Sequence, residues 1–245
     1  MDHKHRRARS AGLGLLASML LAACGGGGGS SLPAAGTNFP LQSAMSAMLT
    51  AGSTRSASIS GTALYQGVSV PISGSVTLSI APLTQTTVLF NAYNAVYAVF
   101  GVDGTVTVSG QSLSLSSSQQ TYFTTALQPL GYTSSAAYCV AATAGSYPAT
   151  VQLGDSGGVV SYNCYSDSTL AVPIGTESLS YKVGPGTSST NVTVSLIDTT
   201  TTSSGQTSSS ETDNYLLSTD GALSLSSASL SLTDSGVLLN MQLTL

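Results

Sequence analysis

The sequence predicts an all-β protein, built as an antiparallel sandwich or as one or more strongly curved sheets. Apolar residues alternate with Ser or Thr through most of the chain, as in strands with one buried and one solvated face. Turn dipeptides such as Gln66-Gly67 and Asp220-Gly221 separate these runs. A helical pattern is confined to a short segment near residues 41–49. The 245 residues are 42% hydrophobic and 7% charged, which favours a packed core over general disorder.

The first 23 residues have the pattern of an export signal. Residues 3–9 are basic, and residues 11–23 are apolar or small except for Ser18. A helix of that length spans about 20 Å, which is less than the hydrocarbon core of about 30 Å. We therefore interpret residues 1–23 as a signal peptide rather than a membrane anchor.

The segment ends in Leu21-Ala22-Ala23-Cys24, which resembles the lipobox of bacterial lipoproteins. The resemblance implies cleavage before Cys24 and a diacylglyceryl group on its sulfur. It also implies an outer-membrane address in the cell envelope, because Gly25 stands where inner-membrane lipoproteins often carry Asp. The membrane is thus an expected partner through the lipid, with the periplasmic or surface face left open. The chain as a whole resembles uncharacterised exported lipoproteins of Gram-negative bacteria.

Residues 24–38 are expected to form a lipidated flexible tether. Five glycines and two serines follow Cys24, and such a spacer reaches roughly 20 Å. The remaining residues, 39–245, form the predicted β-rich body. A weak boundary near residues 132–136 divides this body into two possible units.

The strands of the body are predicted from the alternation itself. It occurs at Val76-Leu78-Ile80, Val106-Val108, Leu113-Leu115, Val192-Val194-Leu196, Leu223-Leu225, Leu230-Leu232 and Leu239-Met241-Leu243-Leu245. The dipeptide Asp103-Gly104 predicts a further tight hairpin turn, and Pro185-Gly186 a weaker break. The Thr/Ser run over residues 199–210 predicts a mobile hairpin loop.

The charge balance excludes one class of partner. Six basic against ten acidic residues do not suit a nucleic-acid binder that neutralises phosphates. Removal of residues 1–23 would leave Arg55 and Lys182 as the basic residues and no histidine at all.

Cys139 and Cys164 would remain as a pair after lipidation of Cys24. A disulfide is the simplest interpretation in an oxidising compartment, with two buried thiols or a metal site as alternatives. A disulfide requires the two strands that carry these cysteines to be direct neighbours or to face each other across layers. We predict no metal and no cofactor.

The run Gly154-Asp155-Ser156-Gly157-Gly158 resembles the motif around the nucleophilic serine of chymotrypsin-like proteases. That chemistry needs a base, and the processed chain would contain no histidine. Lys182 could act as a base only if the fold brought it to Ser156. We interpret the motif as a Gly-rich hairpin turn joining residues 149–153 to 159–165, and we predict no catalytic residue.

Carboxylates and tyrosines offer the remaining candidates. We place most of the body's carboxylates in turns rather than in calcium sites, since no EF-hand spacing occurs. This set is Asp155, Asp167, Asp198, Glu211, Asp213, Asp220 and Asp234. Tyrosines could stack on sugars but are more simply strand residues. Those considered are Tyr93, Tyr97, Tyr138, Tyr162 and Tyr165.

These observations favour a lipid-anchored envelope protein with a non-catalytic structural or interaction role. The alternative is a binding module for a small apolar ligand or a glycan, and a hydrolase is a third hypothesis. The expected partner beyond the membrane is an envelope protein or a glycan.

Overall fold

A computed structural model describes residues 32–234 and 236–245. The predicted signal peptide, residues 1–23, and the lipidation site Cys24 lie outside the described residues. The described chain contains one helix and thirteen strands. They are α1 (Leu41–Ala51), β1 (Ser53–Tyr65), β2 (Val68–Ile80), β3 (Val88–Phe90), β4 (Tyr93–Val108), β5 (Gln111–Thr124), β6 (Pro129–Ser134), β7 (Tyr138–Ala141), β8 (Ser156–Tyr165), β9 (Pro173–Pro185), β10 (Asn191–Thr202), β11 (Thr207–Ser218), β12 (Leu223–Asp234) and β13 (Val237–Thr244).

The strands form one antiparallel sheet that closes on itself. From β4 to β13 each strand pairs with the next along the chain, β13 pairs with β1, and β2 pairs with both β1 and β4. Twelve strands therefore make a closed barrel, and β3 adds a short hairpin arm on the first residues of β4. The prediction of an all-β protein with a strongly curved antiparallel sheet is confirmed.

The alternation of apolar and hydroxyl residues sets the two faces of the wall. In β1, Ala57 and Ile59 are buried inside, while Ser56, Ser58 and Ser60 are exposed outside. Because successive side chains of a strand point to opposite faces, one strand supplies both the core and the hydrated surface. The outer wall is consequently rich in hydroxyl groups.

Helix α1 occupies one end of the barrel interior. It follows Pro40, ends at Gly52, and buries the apolar side chains of Leu41, Met45 and Leu49. Leu41 and Met45 pack into a core cluster with inward residues of β10 and β11, among them Val192, Val194 and Leu217. The predicted helix near residues 41–49 is confirmed. In the described part of the chain, no helix combines the length and apolar character needed to cross a membrane.

A second apolar cluster lies among β1, β2, β12 and β13. Its members include Ile59, Ile72, Val76, Leu230 and Leu243, all at most 5% exposed. The interior is therefore packed around the helix and between these strands, and a smaller cluster of Leu49, Leu83, Ala98 and Phe123 adds to it. The polar features described below belong to the part of the barrel next to the helix.

The turn predictions were partly correct. Gln66-Gly67 and Asp220-Gly221 do connect adjacent strands, as predicted. The predicted turn at Asp103-Gly104 is wrong, because both residues lie within the continuous strand β4. A Cβ on Gly104 would lie 2.2 Å from the backbone oxygen of Ser75, so this glycine permits a close approach of β2 and β4.

Two other segments also differ in extent from the prediction. The Thr/Ser run over 199–210 is mostly strand, because β10 and β11 pair through it and only residues 203–206 form the turn. Residues 132–136 span the end of β6 and the turn before β7, and the sheet is continuous across them.

Candidate functional site

The two cysteines of the body form a disulfide inside the barrel. Cys139 on β7 stands directly opposite Cys164 on β8, with an S–S distance of 2.06 Å and a Cα–Cα distance of 4.1 Å. The predicted disulfide and the predicted direct neighbourhood of its two strands are confirmed. The hydroxyl oxygen of Tyr132 lies 3.9 Å from the Cys164 sulfur.

Four carboxyl side chains point into the barrel, and we call them the acid cluster. They are Glu177 on β9, Asp198 on β10, and Glu211 and Asp213 on β11. Glu177, Glu211 and Asp213 are at most 4% exposed, and the Oδ1 atom of Asp198 is buried. The cluster is therefore part of the interior rather than of the hydrated wall.

The position of three of these carboxylates corrects the sequence prediction. Asp198, Glu211 and Asp213 were expected in turns, and that expectation is wrong. Their place follows from the period of two: Asp198 is two residues beyond the buried Leu196, and Asp213 is two residues before the buried Tyr215. The same alternation would have indicated all three. Turns do hold Asp155, Asp167 and Asp220, as predicted.

Glu177 and Asp198 form the centre of the cluster. The Tyr132 hydroxyl donates a hydrogen bond to Glu177 Oε2 at 2.5 Å, and Glu177 is also hydrogen-bonded to the Asp198 carboxyl group. Burial raises the pKa of Glu177 above that of an exposed glutamate. Burial, and then repulsion by Glu177 and Asp213, raises the pKa of Asp198 well above its usual range. The pair therefore retains a shared proton at a pH where exposed carboxyl groups have lost theirs.

Buried phenols from several elements surround the acid cluster. They come from β6, β8, β11 and the loop before β8, and are Tyr132, Tyr162, Tyr215 and Tyr147. Burial is the main cause that raises the pKa of each phenol, and neighbouring carboxylates raise it further. These groups consequently stay neutral and can both donate and accept hydrogen bonds.

A cavity of about 100 Å³, the inner cavity, lies between α1 and the acid cluster. Its polar lining includes Glu177, Asp198, Asp213, Tyr132, Tyr162, Gln119 and Thr121, and its apolar lining includes Met45, Met48, Leu49, Phe100, Phe123 and Leu179. A second cavity of about 70 Å³ shares the lining residues Met48, Phe100 and Asp213 with it.

A groove of about 250 Å³ runs along α1 beside the β5–β6 turn, and we call it the helix groove. Met45, Leu49 and Tyr147 line both the helix groove and the inner cavity. These side chains therefore lie between the groove and the inner cavity. Methionine adapts its shape readily, which makes Met45 a suitable side chain to move when a ligand enters.

One buried oxygen atom of the acid cluster lacks a hydrogen-bond donor from the side chains around it. Asp198 Oδ1 has no hydrogen-bond partner among the residues described by the structure, and Asp198 lines the inner cavity. A buried acceptor without a donor costs about 1–3 kcal/mol. A donor placed in the cavity would remove this cost.

The acid cluster does not form a compact metal site. Among the described residues, the group of three potential ligand atoms within 4.8 Å of one another consists of Cys139, Cys164 and Glu177. The two sulfurs are joined to each other, and a metal-binding cysteine must be a thiolate. No three carboxylates of the described chain place oxygens that close to one another.

The serine motif lies at the surface. Ser156 begins β8 and stands opposite Lys182 of β9, a proximity that the sequence could not show. Both residues are exposed, and no hydrogen bond between them occurs within the described contacts. The predicted hairpin turn is wrong, because Ser156 to Gly158 belong to β8, which pairs with β7 and β9 and not with residues 149–153. A tight turn does precede β8, where Asp155 Oδ2 accepts the Gln152 N–H at 2.7 Å. The strand expected over 149–153 is reduced to a single bridge of Val151.

Several aromatic rings pack together on the outer side of the wall, and we call them the outer tyrosine patch; Phe90, 3% exposed, is its buried centre. Phe90 stacks on Tyr122 with 3.9 Å between ring centroids, and Tyr97 and Tyr138 lie beside them. All five tyrosines considered from the sequence lie in strands, as predicted. Tyr162 differs from the other four because its ring is inside the barrel.

Comparisons with known proteins add no identification. No protein family, no curated protein and no solved structure matched this chain.

Proposed function

We propose that this chain is a lipid-anchored protein of the bacterial cell envelope, at the outer membrane, whose barrel is a non-catalytic binding module. The observation that supports binding is the inner cavity, where buried carboxyl and phenol groups converge next to an outer groove. Sites with a few convergent polar groups inside an apolar enclosure are typical of small-ligand binding. A purely structural barrel would gain nothing from burying four carboxyl groups.

The lining supports a small polar ligand rather than the apolar one considered from the sequence. The inner cavity has about 100 Å³, against about 300–1,000 Å³ for a drug-sized site. Its polar groups would remain unpaired beside a hydrocarbon.

The proposed anchor is supported by the lipobox resemblance at Cys24 and by the hydroxyl-rich outer wall, which suits a body held in water by a tether. The test is intact mass and fatty-acid labelling of the full chain made in a Gram-negative host. We expect an acylated chain beginning at Cys24 and no acylation in Cys24→Ala. A labelled chain that keeps residues 1–23, or no label at all, would contradict the anchor.

The binding role is tested by thermal unfolding of the full chain with a library of sugars, amino acids, amines, fatty acids and metal chlorides. We expect saturable stabilisation by a small polar member. Stabilisation by none of them contradicts the role. A fluorophosphonate probe tests the hydrolase hypothesis, and we expect it to leave the protein unlabelled. Labelling of the wild type that is lost in Ser156→Ala would contradict a non-catalytic barrel.

A second candidate function is glycan contact at the outer tyrosine patch. Tyr93, 43% exposed, is the strand partner of Phe90, and Leu89, 76% exposed, precedes Phe90 in β3. Aromatic faces of this kind stack on sugar rings. The test is oligosaccharide binding by Tyr93→Ala, with Tyr65→Ala as a control at an exposed tyrosine elsewhere. Weaker binding in Tyr93→Ala alone would support glycan contact. Equal loss in both variants would contradict it.

A further inference from the structure

We propose that the reduced form of the barrel binds a thiophilic divalent cation, with zinc as the type ion, between Cys139, Cys164 and Glu177. A metal site is one alternative that the sequence allows for the two cysteines, and the structure supplies a third ligand for it. The inference goes beyond the proposed binding role, because the two sulfur atoms do not line the inner cavity. It uses neither the lipid anchor nor the outer tyrosine patch.

The first argument is the proximity of three ligand atoms. The two sulfurs and one carboxylate oxygen of Glu177 all lie within 4.8 Å of one another. They come from three successive strands of the wall, because β7 pairs with β8 and β8 pairs with β9. Among the described residues, this is the group of three potential ligands that is compact enough to surround one ion.

The second argument is that the two sulfurs can take the spacing that zinc requires. Zinc–sulfur bonds of about 2.3 Å at tetrahedral angles place two sulfurs about 3.8 Å apart. Cys139 and Cys164 stand directly opposite each other on neighbouring strands, with 4.1 Å between their Cα atoms. Side chains opposite each other on one face have Cβ atoms about 4.5–5.5 Å apart. Rotation of the two side chains after the S–S bond opens therefore gives this spacing.

The third argument is that the surrounding side chains already orient Glu177. The Tyr132 hydroxyl donates to Glu177 Oε2 at 2.5 Å and lies 3.9 Å from the Cys164 sulfur. Glu177 is also hydrogen-bonded to Asp198. A carboxylate has about four lone pairs on its two oxygens, so it can bind an ion and keep these hydrogen bonds. Such outer partners fix the direction of a metal ligand.

The fourth argument is charge. Cys139, Cys164 and Glu177 are at most 4% exposed, and no Lys or Arg is buried in the described chain. Two thiolates and one carboxylate would place three negative charges in this interior, and a divalent cation would reduce them to one. The oxidised chain does not meet this cost, because the sulfurs of a disulfide are neutral. Metal binding should therefore depend on the redox state of the two cysteines.

Reduction converts the disulfide into the metal site. A dithiol reductant supplies two electrons and two protons, the S–S bond breaks, both cysteines become thiols, and the reductant becomes a disulfide. Zinc then binds both sulfurs as thiolates, and the two thiol protons leave to solvent. Water takes the fourth position of the ion, as in zinc sites with three protein ligands. Because both sulfurs are buried, a chain that folds before its thiols are oxidised reaches this state most directly.

The test is isothermal titration of the full chain, purified in detergent, with ZnCl₂. One sample keeps the disulfide, and the other is reduced with dithiothreitol in urea and refolded under nitrogen after the reductant is removed. MgCl₂ is the control cation, because magnesium prefers oxygen ligands. We expect one zinc ion per reduced chain and no saturable binding of Mg²⁺. Zinc should bind the oxidised chain at least about a hundredfold more weakly, since both thiolate ligands are lost.

Variants identify the ligands. Glu177→Gln should weaken zinc binding by at least about tenfold, and Tyr132→Phe by about tenfold because Glu177 loses an outer partner. The matched control is Asp103→Asn, whose carboxylate is exposed on the outer wall and should not affect the affinity. CoCl₂ replaces zinc for spectroscopy, since cobalt–thiolate bonds absorb in the near ultraviolet. This absorption should appear in the reduced wild type and be absent from the double variant Cys139→Ser, Cys164→Ser.

Several results would overturn the inference. They are absence of zinc binding by the reduced chain, equal binding by the oxidised chain, a preference for Mg²⁺, equal effects of Glu177→Gln and Asp103→Asn, or cobalt binding without thiolate absorption. None of these results bears on the proposed binding role, which concerns the oxidised barrel.

A second measurement covers the case in which the reduced chain does not fold without metal. Zinc that binds only the folded state should then restore cooperative urea unfolding, followed by circular dichroism. Less zinc should be needed at pH 8 than at pH 6, because binding releases two protons. A reduced chain equally unfolded with and without ZnCl₂ would overturn the inference. If Glu177→Gln does not fold, Tyr132→Phe and the cobalt spectrum identify the ligands.

Discussion

Glu177 and Asp198 lie diagonally across the β9–β10 pair, and their carboxyl groups are hydrogen-bonded to each other inside the barrel. Glu177 stands opposite Thr200 and Asp198 opposite Leu179, so both side chains project from the same face of the wall. Two carboxyl groups can form this bond only while they hold a proton. The stability of the fold is therefore linked to the protonation of this pair.

We predict that the free energy of unfolding falls as the pH rises above about 4, where the carboxyl groups of an unfolded chain lose their protons. The folded protein raises the pKa of Glu177 and of Asp198, chiefly by burial, above the values near 4 of an unfolded chain. Between the unfolded and folded pKa values the folded state binds more protons, so stability is complete below the lower value and is lost as the pH rises through the higher one. Urea unfolding across this range measures the slope.

The control for this prediction is Asp198→Asn, whose neutral amide cannot titrate. We expect a flatter dependence on pH above 5 in this variant. Asp167 and Asp220 act in the opposite sense, since hydrogen bonds from Thr169 and from Ser218 lower the pKa of each carboxylate. Their contribution is lost only in stronger acid. A wild-type protein more stable at pH 9 than at pH 5 would contradict the predicted state of the pair.

The strands and the disulfide could be predicted because both depend on local or pairwise rules. Alternation of apolar and hydroxyl residues defines a strand within a few residues, and the pair Cys139 and Cys164 restricts which strands are neighbours. Closure of the barrel could not be predicted in the same way. It depends on pairing of β1 with β13, in which Ser58 faces Thr244 at the far end of the chain.

The acid cluster was missed because residue type was given more weight than position. Asp198 lies in a Thr-rich run that reads as a loop, yet it continues the alternation of Val192, Val194 and Leu196. Glu177 gave no signal of its own, since its inward direction depends on where β9 begins. Asp103-Gly104 was wrongly predicted as a turn because Asp-Gly is a common turn dipeptide. A glycine also occurs inside a strand where a neighbouring strand approaches closely, as it does here.

We predict that the double variant Cys139→Ser, Cys164→Ser loses about 3 kcal/mol of unfolding free energy. The disulfide closes a loop between residues separated by 25 positions and so restricts the unfolded chain. Urea unfolding of both proteins, with and without reductant, measures the loss. Reductant should destabilise the wild type and leave the double variant unchanged. Equal stability of the two proteins without reductant would contradict a structural role of the bond.

We predict that Gly104→Ala destabilises the barrel by about 1–3 kcal/mol, the usual cost of overpacking. The added Cβ would lie 2.2 Å from the Ser75 carbonyl oxygen and 2.7 Å from the Val76 Cα atom. The matched control is Gly184→Ala on β9, where an added Cβ meets no atom within 4 Å. Thermal unfolding should separate the two variants. Equal behaviour would show that β2 and β4 can move apart at no cost.

We predict that Leu49→Ala destabilises the protein by about 2–5 kcal/mol, since it removes a buried side chain and leaves a cavity. Leu49 is 2% exposed and packs against Leu83, Ala98 and Phe123. The neighbouring Thr50 is exposed on the same helix, so Thr50→Ala should change stability by less than about 0.5 kcal/mol. Urea unfolding followed by circular dichroism measures both. If Leu49→Ala were as stable as Thr50→Ala, α1 would be a detachable lid rather than a part of the core. Tight packing of Leu49 would instead mean that a ligand reaches the acid cluster past Met45 and Tyr147, with the helix in place.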